Sequence, residues 1–199
     1  MIILERKMAK KTIEPSTLLV PLPAVLVTCG ETGGKPNIIT IAWCGIVCSK
    51  PPMLSISIKE DRHSFDFINR NKEFVVNITA GKMVDAVDFC GSFSGKDHDK
   101  FKEAGLTPLP ANLVKAPLIK ESPINLECQV RQTFKLGSHH MFIAEIVATH
   151  VEETALDKKG NLDIKKVDPL IYCTNARQYW SGLSKVHGYH GYTKKAKGG

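Results

Sequence analysis

The chain has 199 residues, a hydrophobic fraction of 43%, a charged fraction of 24% and a formal net charge of +7. That is enough chain to bury one sizeable core without disulfide or metal staples, and no apolar run approaches the roughly 18 residues of a membrane span, so no membrane partner is expected. The opening MIILERKMAKK holds three apolar residues and then charges, too short for a secretory signal core, which points to a cytoplasmic protein with Met1 or Met8 as its start. Much of the positive excess lies at the ends, in Arg6, Lys7, Lys10, Lys11, Lys185, Lys194, Lys195 and Lys197. Such ends read as solvated tails or as nucleic-acid contacts. No aromatic residues are interleaved with them, so there is no stacking platform and no nucleic-acid partner is expected. The expected organisation is an N-terminal extension over 1–15, a domain over 16–180 and a basic tail over 181–199.

Residues 22–28 are apolar and β-branched between prolines and Gly30, and read as a strand; GETGGKPN (30–37) is a turn, and 38–47 is the partner strand of a hairpin. Lys50-Pro51-Pro52 breaks the chain. Residues 53–59 then alternate, with Leu54, Ile56 and Ile58 on one face. Asp61 or Ser64 can cap a short helix to about Asn71 that buries Phe65 and Ile68. A strand over 73–79, a helix over 82–90, a small-residue loop over 91–95 and a short polar helix over 97–104 follow. Later, Ile124, Leu126, Cys128 and Val130 alternate with Asn125, Glu127, Gln129 and Arg131, as in a half-buried strand. Gly137 to His140 turn the chain into a strand over 141–151; DKKGN (157–161) is a turn, 169–173 is one more strand, and the remainder reads as irregular. About seven strands and three short helices, not regularly alternating, predict a mainly β, antiparallel barrel with helical insertions.

Six cysteines are present; none forms a CxxC pair, and Cys44 and Cys48 fall on one face of a strand, too far apart to bond each other. Reduced thiols and no zinc site are expected. No phosphate-loop or dinucleotide motif occurs, and no GxSxG, so hydrolase chemistry has no support. Four constellations remain. Lys59, Arg62 and Ser64 stand where a strand gives way to a helix, which suits a phosphate bound by cations, a hydroxyl and helix amides, and equally suits a solvated turn capped by Ser64. Asn37 with Thr40, Ile41, Ala42 and Trp43 offers polar groups on an apolar wall, for a planar heterocycle or for a plain core strand. GSFSGKD (91–97) can close over a ligand or merely connect helices. His139 and His140 in a turn can meet a nicotinamide or donate a proton, or lie idle at the surface.

In combination, NIITIAWCGIVCSKPPMLSISIKEDRHSFDFI, then GSFSGKDHDKF, LGSHHMFIAEIV and a Tyr-rich end, in that order, resemble the flavin reductase-like family with its FMN-binding split β-barrel, and most nearly its flavoredoxin-type branch. The resemblance implies non-covalent FMN in a homodimer. It places Asn37, Thr40, Ile41, Ala42 and Trp43 along the ring and ribityl chain, and Ser57 and Ile58 among the cofactor-binding residues. It places Lys59, Arg62, His63 and Ser64 at the phosphate, Ser94, Gly95 and Lys96 on a loop approaching the flavin, and His139 at a nicotinamide site; which of His139 and His140 serves there stays open. Three functions follow as expectations: an NAD(P)H-dependent oxidoreductase passing electrons to free flavin, ferric iron or a protein acceptor; an electron carrier fed by a reduced redox protein; or a non-redox binding module.

Overall fold

The computed structural model describes residues 10–31 and 34–190; the first nine residues, Thr32-Gly33 of the expected turn, and the last nine, with Lys194, Lys195 and Lys197, lie outside the described residues. In chain order the elements are β1 (Leu22–Pro23), β2 (Val25–Cys29), β3 (Asn37–Ile41), β4 (Cys44–Ser49), β5 (Pro52–Ile58), α1 (His63–Asn71), β6 (Glu73–Ile78) and α2 (Val84–Ser92), the last entered through a 3-10 turn at Gly81–Met83. They continue with α3 (Lys100–Glu103), β7 (Pro108–Leu109), β8 (Leu118–Ile119), β9 (Ile124–Leu136), β10 (His139–Val151), α4 (Ile164–Val167), β11 (Ile171–Cys173) and β12 (Gln178–Trp180). Seven strands form one antiparallel sheet in the order β3-β2-β6-β9-β10-β5-β4, and β1-β11-β12 form a small second sheet.

The two edges of the large sheet, β3 and β4, are consecutive in sequence and joined by Ala42 and Trp43 alone. Two residues span at most about 7 Å, so the sheet curls until its edges meet: this is the barrel. Residues 38–47, expected as one strand, therefore form two. The break falls at Ala42-Trp43, where the Trp43 carbonyl instead accepts from the Ser57 amide at 3.0 Å. Two long strands, β9 and β10, pair along nearly their whole length with two bulges, which bend the ribbon around the barrel.

The alternation in β5 holds: Leu54, Ile56 and Ile58 are buried and point into the barrel, where they meet Val25, Val27, Phe74, Val76, Phe142 and Ala144. Helix α1 seals the barrel with Phe65 and Ile68. Its N-cap is Arg62, in extended conformation and with no side-chain cap bond, so neither Asp61 nor Ser64 caps it. A second apolar cluster lies outside the barrel wall, where Leu26 and Ile38 pack against Met83, Val87 and Cys90 of the α2 region, and against Phe101 and Leu170. Strand β2 is buried on both faces for that reason. The helix expected over 97–104 is confined to α3, capped by the Asp99 side chain, which accepts from the Lys102 amide. Strand β10 begins at His139, so the turn is Gly137-Ser138, and β12 replaces part of the irregular end.

Candidate functional site

The seam where the sheet edges meet opens into a cleft of about 200 Å³ lined by Ile39, Thr40, Ile41, Ala42, Trp43, Ser57, Ile58, Lys59, Arg62 and His139. Three elements build it: the end of β3 with the corner after it, the end of β5, and the first residue of β10. The Trp43 and His139 rings stack at 4.5 Å between centroids, tilted by 39°, and the His139 Nδ1 lies 2.8 Å from the Ser138 hydroxyl. Burial, then nearby Lys59, holds the His139 imidazole below the ordinary histidine value, against the opposing pull of Asp61. It is therefore mainly neutral at pH 7. Strand alternation sends His140 the other way: its ring meets the Phe65 ring edge-on at 4.7 Å, and its Nε2 sits 3.4 Å from the Glu60 carboxylate. Of the two histidines, His139 faces the cleft.

Past Ile39, Thr40 and Arg62 the cleft continues into a second chamber of about 220 Å³, bounded by Asn37, His63, Ser64, Ser94, Gly95 and Lys100. The Asn37 amide donates to the Ser64 hydroxyl at 2.8 Å, and both side chains are buried. A Cβ on Gly95 would run into the Asn37 side chain, so only glycine lets the 91–95 loop come this close. Arg62 is half exposed, with the Asp61 carboxylate 3.8 Å away. His63 opens α1, and its imidazole is held low by burial and by Lys96. Lys96 itself lines a larger adjoining groove of about 900 Å³ that shares Asn37, His63 and Gly95 with the chamber. Every residue expected at a flavin site thus borders one continuous groove, with Lys96 at its far end.

Lys100 is the functional candidate that sequence reasoning missed. Its side chain is buried, its Nζ donates to the Ile38 carbonyl at 2.9 Å and the Cys90 carbonyl at 2.7 Å, and it lines the second chamber. Among the described residues no carboxylate pairs with it. Burial pushes the ammonium below the ordinary lysine value, and Arg62 adds to this. A buried cation without a counter-charge is costly, and an anion in the chamber would relieve it. The sequence around it, KDHDKFKE, is mostly charged and gives no local sign that this lysine turns inward while Lys96 and Lys102 do not.

The donor set is consistent from end to end. Arg62, His63, the third N–H of Lys100 and the uncapped start of α1 converge on one chamber, as a phosphate requires. An apolar strand wall with an indole lines the other chamber, as a planar ring requires. The residues present fit a phosphorylated planar ligand.

The sequence matches the Flavin reductase like domain over residues 17–181, and the chain belongs to that family. Among solved structures it is similar to the flavoredoxin of Desulfovibrio vulgaris (Miyazaki F), at 32% identity and TM-score 0.86, over 93% of this chain and 100% of that one. It is similar also to the flavoredoxin from Methanosarcina acetivorans, at 32% identity and TM-score 0.85, over 94% of this chain and 99% of that one. An FMN-binding protein from Thermus thermophilus shares the fold at 19% identity and TM-score 0.76, over 92% of this chain and 99% of that one. The mainly β, antiparallel split-barrel architecture expected from the sequence is the architecture of these proteins.

Proposed function

We propose that this chain binds FMN in the seam groove and carries electrons between protein partners, as a flavoredoxin-type flavoprotein. The observation that carries the reading is the groove's polarity: an apolar wall from Ile39 to Trp43 leads into a chamber where Arg62, His63 and buried Lys100 converge. Likeness to two flavoredoxins over nearly the whole chain supports carriage over turnover of a small substrate. Bound FMN would supply redox chemistry in one- or two-electron steps. The chain's own part is to bind and tune: Thr40, Ala42 and Ser57 border the ring, Arg62, His63 and Lys100 hold the phosphate, and Asn37 fixes Ser64 and the 91–95 loop. The +7 net charge favours an acidic redox protein as partner. Exposed Ile46 and Val47 on edge strand β4 support pairing with a second copy in a homodimer.

His139 favours a second reading, direct reduction by NAD(P)H, because a neutral imidazole stacked on Trp43 stands at the open side of the cleft. Anaerobic reduction of the FMN-loaded protein separates the two. Fast, salt-sensitive reduction by a reduced ferredoxin and slow reduction by NADH and NADPH is the expected result. Rapid, saturable reduction by either nicotinamide, lost in His139→Ala, would replace the carrier with a reductase.

Arg62→Ala tests the phosphate end. Arg62 is half exposed, so the fold should stay within about 0.5 kcal/mol of wild type. FMN affinity should fall about tenfold for the lost charge-assisted bonds, read by fluorescence titration. Unchanged FMN affinity would place the phosphate elsewhere.

A further inference from the structure

A further cleft, of about 350 Å³, lies between β3, α2 and the β11–β12 hairpin. Its volume is in the range of small-molecule pockets. Thr40 and Ala42 line it as well as the seam cleft, and Thr40 and Gly91 line it as well as the second chamber, so it adjoins the groove along β3. The Thr40 hydroxyl donates to the Val87 carbonyl and ties that strand to α2.

Two features give this cleft a chemistry. Tyr172 and Tyr179 are cross-strand partners in β11 and β12, with ring centroids 5.2 Å apart and planes 46° off parallel. Together they form an aromatic wall. Burial, and then the facing Asp88 carboxylate, push the Tyr179 phenol up to about 12, so its hydroxyl keeps its proton at neutral pH. Arg177 stands at the hairpin turn with a left-handed backbone, φ 52°. Its amide bonds back to the Thr174 carbonyl at 3.1 Å, which fixes the turn. Arg177 lines the cleft with an exposed side chain whose guanidinium, among the described residues, has no hydrogen-bond or ion-pair partner; Asp88 lines the cleft as well, against Tyr179. A cationic fork beside two aromatic rings can recognise a flat ring through stacking and its acid group through paired N–H bonds.

We propose that this cleft is a binding site for planar aromatic carboxylates, held by Arg177 and the Tyr172–Tyr179 wall beside the seam groove. The site shares Thr40, Ala42 and Gly91 with the groove but no cationic residue, so its recognition of an acid group stands apart from the flavin reading. A bound aromatic anion would lie beside whatever occupies the groove, in position for a small redox substrate or effector.

Calorimetric titration of the full chain with 2-naphthoate, and with uncharged 2-naphthamide, tests this. The carboxylate should bind about tenfold more tightly than the amide. Arg177→Gln should abolish that preference without altering FMN affinity, and Tyr172→Ala should weaken both probes. Saturating FMN should leave naphthoate binding in place. The proposal is overturned by absence of naphthoate binding, by equal affinity in wild type and Arg177→Gln, or by displacement of naphthoate by FMN, which would put the probe in the groove. Naphthoate binding in a chain that ignores FMN would sink the flavin reading and leave this one standing.

Discussion

Lys100→Met is expected to raise the Kd for FMN on the order of 100-fold, the loss from truncating one partner of a desolvated charge pair, while the Kd for riboflavin changes less than about threefold. The asymmetry follows from where the ammonium sits. Two of its N–H groups are committed to the Ile38 and Cys90 carbonyls, and the third is left for the chamber. Riboflavin has the same ring and no phosphate, so it has nothing to lose with the charge. Methionine keeps most of the stem's volume and removes the cation. The two abandoned carbonyls cost stability, while loss of an unpaired buried charge returns some of it. The apoprotein should therefore change far less than the FMN complex. Fluorescence titration with both ligands, beside urea unfolding of the apoproteins, reads the two effects separately. Equal weakening of FMN and riboflavin would mean that Lys100 holds the fold and not the phosphate.

The second large effect lies away from the groove. Glu127→Ala should destabilise the chain by about 4 kcal/mol, because it orphans several buried donors at once. Glu127 in β9 is fully buried. Its carboxylate accepts from the amides of Asn112 at 2.8 Å, Leu113 at 2.6 Å and Val114 at 3.1 Å, and meets the His150 Nε2 at 2.6 Å. Those bonds hold the segment before β8 across the outer face of β6 and β9, where its Val114 and Ala116 pack on Val75. Burial by itself would raise the Glu127 pKa; the bonds from Asn112, His150 and Leu113 outweigh it and leave the carboxyl below its ordinary value. A depressed folded value means that this stability is present above the unfolded carboxyl's pKa of about 4.3 and is lost as pH falls through the folded one. The gap in urea midpoint between wild type and Glu127→Gln should thus narrow as pH falls from 7 through the acid range. A constant gap between them would show that the carboxylate's charge is irrelevant.

Glu127 also marks the boundary of what the sequence makes legible. Period-2 alternation located β5, and the i, i+3 spacing of Phe65 and Ile68 located the barrel-facing side of α1, because one face of each must be apolar. The same rule assigned Asn125 and Glu127 to solvent, yet both are buried. The segment leading into β8 covers that face and satisfies it with hydrogen bonds: Asn125 donates to the Ile119 carbonyl at 3.0 Å and, within the sheet, to the Asn77 side chain at 2.8 Å. Tertiary cover of a polar face leaves no periodic trace. The break at Ala42-Trp43 was invisible for a related reason: the apolar β-rich run continues through it, and only closure of the barrel forces the chain to leave one sheet edge for the other. The phosphate-like cluster was readable as residue types, while Lys100, more than thirty residues downstream of Arg62, entered the chamber only through the packing of α3 on β3.

We propose the seam groove as an FMN site whose chamber holds the phosphate, and calorimetric titration of the ligand-free chain with FMN and with riboflavin is the decisive test. The expected result is saturable binding of FMN, at one equivalent per chain, and affinity for FMN at least tenfold above that for riboflavin. A chain that binds neither flavin, or binds both equally, contradicts it.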